Sequence, residues 1–186
     1  MRTDQKIVHT SKRTPNRISF FGPPPLLIGE DHEAYNQLLA SVIDCVAPAD
    51  CLEEIWTNDI VQQTWDIIRY RRSKTAMLNN AMPNAVALLL SVPMKKTYDV
   101  ERVEQLLASA GMTIDQVQGR ALEFKLEQID KVERLITLVE MRRSATFREI
   151  DRHRERKQFA KALRTKIAEI EATEAETITA APQLPD

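Results

Sequence analysis

Residues 113–173 read TIDQVQGRALEFKLEQIDKVERLITLVEMRRSATFREIDRHRERKQFAKALRTKIAEIEAT and contain no proline and one glycine, Gly119. Thr113 and Gln116 have the spacing of a capping box, which opens a helix by satisfying its first free N–H groups. Behind them Ile114, Val117, Ala121, Leu122, Leu126, Ile129, Val132, Ile136 and Val139 recur at intervals suited to one helical face, and Leu135 and Leu138 widen that stripe. One unbroken helix of roughly 60 residues would be about 90 Å long. A compact domain of this chain length measures about 35–40 Å across. Such a helix has to project or to pair; a break near residue 144 or 158 is the alternative.

The stripe changes along the segment. Arg143 takes the next seam position, and only Phe147 and Ile150 continue it. Residues 151–158, DRHRERKQ, hold nothing apolar, and the pattern resumes sparsely at Phe159, Leu163, Ile167 and Ile170. We therefore expect 113–141 to pack on a helical body and 142–173 to stand as a projecting charged helix, free or in a weak coiled coil. Residues 174–186 are expected to be a disordered tail.

Upstream, Tyr35, Leu38, Leu39, Val42, Ile43 and Val46 predict a one-faced helix over 31–46, ended by Pro48. Asp50, with Glu53 three residues on, predicts the start of a second helix over 51–80. That helix is apolar over a wide arc (Leu52, Ile55, Trp56, Ile60, Val61, Trp65, Ile67, Ile68), so several neighbours should touch it, while its RYRRSK end at 69–74 should reach solvent. Pro83 predicts a short third helix to about Ser91, and a fourth is expected from Asp99 to Ala110 with Gly111 just past its end. The fold class is all-α: a body of four to five helices over 30–141 with a long C-terminal helix. Residues 1–29 read as a flexible basic, proline-rich arm. The apolar flanks of its three prolines (Ile18, Phe20, Phe21, Leu26, Leu27, Ile28) are expected to lie across the body, or else to form a docking motif for another protein.

Composition agrees. Only four glycines and 5% aromatics against 28% charged residues suit helices better than sheets. The formal net charge of −1 makes no argument for a polyanionic partner. Its distribution is uneven, however. Residues 1–17 hold five Lys/Arg against one acid, 142–166 hold ten against three, and from 167 onward there are five acids and no Lys or Arg.

Nothing converges for chemistry. His9, His32 and His153 are far apart in sequence, no phosphate-loop, nucleophile-elbow or zinc-protease motif is present, and neither Cys45 nor Cys51 has a nearby histidine. The expectation is a non-enzymatic protein without catalytic, cofactor or metal residues and without a small-molecule substrate. The cysteines straddle Pro48, where a disulfide is geometrically allowed, but one pair in a chain lacking an export signal reads as two reduced thiols. The longest apolar run is AVALLL at 85–90, too short to cross a bilayer, so we expect a cytoplasmic protein with no membrane attachment.

The basic block is the candidate contact region. Arg148, Arg152 and Arg156 form one helical row; Arg154, Lys157, Lys161 and Arg164 form another; Arg142 and Arg143 precede both. Such rows can follow a phosphate backbone. Interleaved Glu149, Asp151 and Glu155 can instead pair with arginines three or four residues away. Two readings result: self-association or docking of a protein partner through the long helix, and nucleic-acid binding by 142–166 helped by 1–17. An antiparallel pair of copies would set the basic 142–166 of one against the acidic 169–176 of the other.

The stretches GPPPLLIGED (22–31), PADCLEEIW (48–56), DIIRYRRSK (66–74) and EMRRSATFREIDRHR (140–154) resemble a group of short, uncharacterised bacterial proteins. The resemblance spans about residues 20–155 and implies no activity, cofactor or catalytic residue.

Overall fold

A computed structural model of the chain describes residues 22–93 and 99–179. Within them are four helices and no strand: α1 (His32–Val46), α2 (Cys51–Leu89), α3 (Val100–Ser109) and α4 (Ile114–Thr179). The chain divides into two compact units, Met1–Asn58 and Asp59–Asp186.

In the first unit, Asp31 caps α1, its carboxylate accepting from the N–H groups of Glu33 at 2.8 Å and Ala34 at 3.2 Å. The stripe foreseen on α1 is its covered face: Tyr35 and Val46 are buried and Leu38, Leu39, Val42 and Ile43 half-buried. Ala47 closes the helix in the left-handed region (φ 47), just before Pro48. Asp50 Oδ1 then accepts from Glu53 N–H at 3.0 Å, while the Glu53 carboxylate accepts from Ala49 N–H at 2.9 Å. This is a capping-box exchange that reaches one residue further out than usual. Cys45 and Cys51 are free and exposed. The lead-in departs from expectation. Leu26 is half-buried, but Leu27 and Ile28 are exposed rather than laid down. They sit in a tight turn, where Glu30 N–H bonds to Leu27 O, Glu30 Oε2 accepts from Leu27 N–H, and Gly29 adopts φ 86. Ile18, Phe20 and Phe21 lie outside the described residues.

In the second unit, α2 and α4 run antiparallel and α3 packs beside them. One apolar cluster joins Ala81, Ala85 and Val86 of α2 to Val103 and Leu107 of α3 and to Val117 and Ala121 of α4. A second cluster joins Ile67 of α2 to Val132, Ile136 and Val139 of α4, flanked by Tyr70 and Met77. Two turns of the same kind close α2 and α3. Met112 N–H bonds to Leu107 O and Gly111 N–H to Ala108 O after α3; Val92 N–H bonds to Ala87 O and Ser91 N–H to Leu88 O after α2. Gly111 (φ 68) and Ser91 (φ 54) occupy the left-handed positions these turns require.

Three expectations need correction here. The second and third predicted helices are one helix, and Pro83 lies inside α2. Proline forfeits a single hydrogen bond there, while Ala81, Ala85 and Val86 on either side are buried and hold the helix together. Among the described residues there are thus four helices, the lower of the expected four to five. No break occurs near 144 or 158: α4 is continuous over 66 residues, about 100 Å, and continues to Thr179, past the expected onset of the tail at 174. Residues 180–186 lie outside the described residues. Finally, Leu122, Leu126, Leu135 and Leu138 are exposed. The seam steps from Ala121 through half-buried Lys125 to Ile129, leaving Leu122 and Leu126 one position off its axis.

Candidate interaction surface on the long helix

The α2–α4 pairing is closed by polar contacts that continue beyond Met141. Lys74 pairs with Glu133, and Arg71 Nη2 with Glu140 Oε1 at 2.9 Å. Arg143 Nη1 donates to Thr64 Oγ1 at 3.3 Å, and Gln63 Nε2 to Thr146 Oγ1 at 3.4 Å. Ile150, only 3% exposed, is the last buried residue of α4 among the described side chains. The packed stretch therefore ends near 150–154 rather than at 141, because short polar side chains carry the seam where apolar ones run out. The RYRRSK segment is likewise engaged: Arg69 pairs with Asp66, Arg72 lies over the Trp65 ring at 5.7 Å, and Arg71 and Lys74 reach α4.

The candidate arginines do not form one surface. Arg143 belongs to the seam. Arg152 Nη1 pairs with Glu149 Oε1 at 2.6 Å, and Arg154 is half-buried and engaged. Arg142, Arg148, Arg156, Lys157, Lys161 and Arg164 are exposed, Lys157 having contacts of its own. At about 100° per residue, the row Arg154, Lys157, Lys161 and Arg164 extends the direction of the buried seam past Ile150. The resumed apolar residues do not. Phe159, Leu163, Ile167 and Ile170 lie roughly 140° away around the helix, on the opposite face, and all are exposed, Phe159 at 72%.

That opposite face continues back along α4 through Leu138, Met141 (64% exposed) and Ala145, which line a shallow groove with Thr137, Glu140, Arg142, Ser144 and Arg148. Every lining residue belongs to one helix, so the groove has a single wall. No family model matches this chain, and no curated protein or solved structure matches it either.

A second shallow groove lies between the end of α2 and the start of α4, lined by Leu88, Leu89, Met112, Gln116, Gly119, Arg120 and Glu123. Its one cation, Arg120, pairs with Glu123 and lies over the Phe124 ring at 5.5 Å. Burial pushes the Asp59 carboxyl above its ordinary value.

Sequence reading located the basic rows and the sparse outer stripe but missed the Leu138–Met141–Ala145 groove. In sequence Leu138 falls with the expected buried stripe and Met141 at the end of the expected packed half. The angular offset of Leu138 from Ile136 and Val139, carried at 100° per residue, is the signal that separates them. From Glu155 through Glu174 every described side chain is exposed, so this length of α4 offers apolar and charged faces over about 30 Å. Among the described residues no helix is long and apolar enough to cross a membrane.

Proposed function

We propose that this is a non-enzymatic interaction protein that self-associates or docks a protein partner through α4. The observation that carries the reading is the exposed apolar stripe of Leu138, Met141, Phe159, Leu163, Ile167 and Ile170 on the face of α4 turned away from its own core. A helix that carries a second apolar face after burying its first has the pattern of an element meant to be covered by another chain. The charged residues on its flanks keep it soluble until then. Light scattering and sedimentation on the full chain test this. The expected result is an assembly larger than one chain, reduced to monomer by Leu163→Glu with Ile167→Glu. A full-length chain that is monomeric at every concentration and unaltered by these changes would sink the self-association arm.

A second reading is favoured by the separation of faces. Lys161 and Arg164 are exposed on the side of α4 away from the apolar stripe, so they can meet a phosphate backbone while the stripe is covered. Titration of labelled duplex DNA and RNA at two salt concentrations tests it. Binding should weaken as salt rises and disappear on Lys161→Glu with Arg164→Glu. Binding that ignores both variables, or none at low salt, removes this reading.

A further inference from the structure

Resting on the self-association reading, we infer that the occupant of the outer stripe is a second copy of this chain, lying antiparallel, with Arg156 of each copy set against Glu174 of the other. The face selects these residues. Arg152 and Arg156 share the angular position of Phe159, Leu163, Ile167 and Ile170, and so does Glu174 at the far end of the stripe. Of the other cations of the basic block, Lys157, Lys161 and Arg164 fall on the far side and have no place in such a contact, while Lys166 flanks the stripe. The charges that meet across such a contact are therefore Arg156 and Glu174, not the whole basic block and the whole acidic end.

Charge then chooses the direction. In a parallel pair each stripe residue faces its own copy, which would set Arg152 and Arg156 against themselves at one end and Glu174 against itself at the other. Like charges directly opposed oppose pairing. In an antiparallel pair with its two-fold axis near Thr165, Leu163 of one copy lies against Ile167 of the other and Phe159 beside Ile170. The same register lays Arg156 against Glu174 at both ends. Apolar residues fill the middle and opposite charges close each end. An isologous contact of this kind repeats every interaction twice and terminates at the dimer. Shifting the register so that Leu138, Met141 and Ala145 pair with Ile170, Ile167 and Leu163 would bring Arg152 and Arg156 of both copies together at the centre, four cations at one point.

Sedimentation equilibrium on the full chain tests the inference. Arg156→Glu and Glu174→Arg, both at exposed positions, should each raise the dimer dissociation constant on the order of tenfold, because two contacts per dimer turn from attractive to repulsive. The double variant carrying both changes should restore the parental value. A second measurement fixes direction. In a Cys45→Ser, Cys51→Ser background, Arg156→Cys mixed with Glu174→Cys should cross-link under mild oxidation, while Arg156→Cys alone should not. Single reversals that leave the dimer unchanged, failure of the double variant to restore it, or cross-linking of Arg156→Cys to itself would each overturn the register. The outcomes are separable from the parent reading. If Leu163→Glu dissociates the dimer while the charge reversals do not, the register alone falls; if the parental chain is a monomer, both fall.

Discussion

Arg143 Nη1 donates a hydrogen bond to Thr64 Oγ1 at 3.3 Å, joining α4 to α2 between residues 79 apart in the chain. A cation read from sequence as a contact for partners is in this way part of the helix pair's own seam. Arg143→Ala should lower unfolding stability by about 1 kcal/mol, through the lost bond and the stem's packing. Arg148→Ala, at an exposed position, should change it by less than about 0.5 kcal/mol. Urea unfolding followed by circular dichroism compares the two.

The second apolar cluster discriminates between neighbouring residues of α4. Ile136 is buried against Ile67 while Leu135 is exposed. Ile136→Ala should cost about 2–4 kcal/mol, combining lost burial with the cavity left behind. Leu135→Ala should cost less than about 1 kcal/mol. Equal losses in the same denaturation assay would mean that the seam has been assigned to the wrong face.

Gly119 sits in the second turn of α4, and a Cβ built there meets nothing within 4 Å. Its φ is an ordinary helical one, absent from the positive-φ glycines. Gly119→Ala should therefore stabilise the protein by about 0.5–1 kcal/mol, since alanine has less backbone freedom to lose on folding. A rise in the thermal midpoint checks it; a fall would show that the groove beside Leu89 and Met112 closes more tightly than this geometry allows.

Asp59 gives a pH dependence with a definite sign. Burial raises its pKa above the ordinary value of 3.8, so the folded chain holds this proton more tightly than the unfolded one. Below the ordinary value the carboxyl is protonated in both states and makes no difference. As pH rises from there through the raised value stability falls, and above it the loss is constant. Asp59→Asn should remove that loss: its urea midpoint should coincide with the parent's in acid and exceed it near neutrality. A pH-independent difference between the two proteins would contradict burial as the cause.

Most of the fold was legible because the signals were local. Caps at Asp31, Asp50, Asp99 and Gln116, the left-handed closure at Gly111, and the period of Val117, Ala121, Ile129, Val132, Ile136 and Val139 depend on residues within a turn or two of one another. What escaped depended on distant neighbours. Pro83 reads as a helix boundary until the apolar residues on both sides of it are seen to share one cluster with α3 and α4. Arg143 and Thr146 read as a solvent-facing end until Thr64 and Gln63 are found opposite them. The outer stripe was half legible. Its residues were visible, but their separation from the core face emerges only when the helical angle is carried without a break through DRHRERKQ.

The continuity of α4 past Ile150 has a consequence for how quickly any partner can be captured. An isolated peptide of this length would first have to nucleate a helix, which is the unfavourable step. Residues 155–174 instead elongate from a stretch already clamped against α2, so that step is complete before any encounter. The amides here should exchange with solvent along a gradient, slowest beside Ile150 and fastest toward Thr179, with local ion pairs such as Arg152–Glu149 at its slow end. Association would then lose little conformational entropy, and its rate would be set by orientation during diffusion rather than by ordering of the chain.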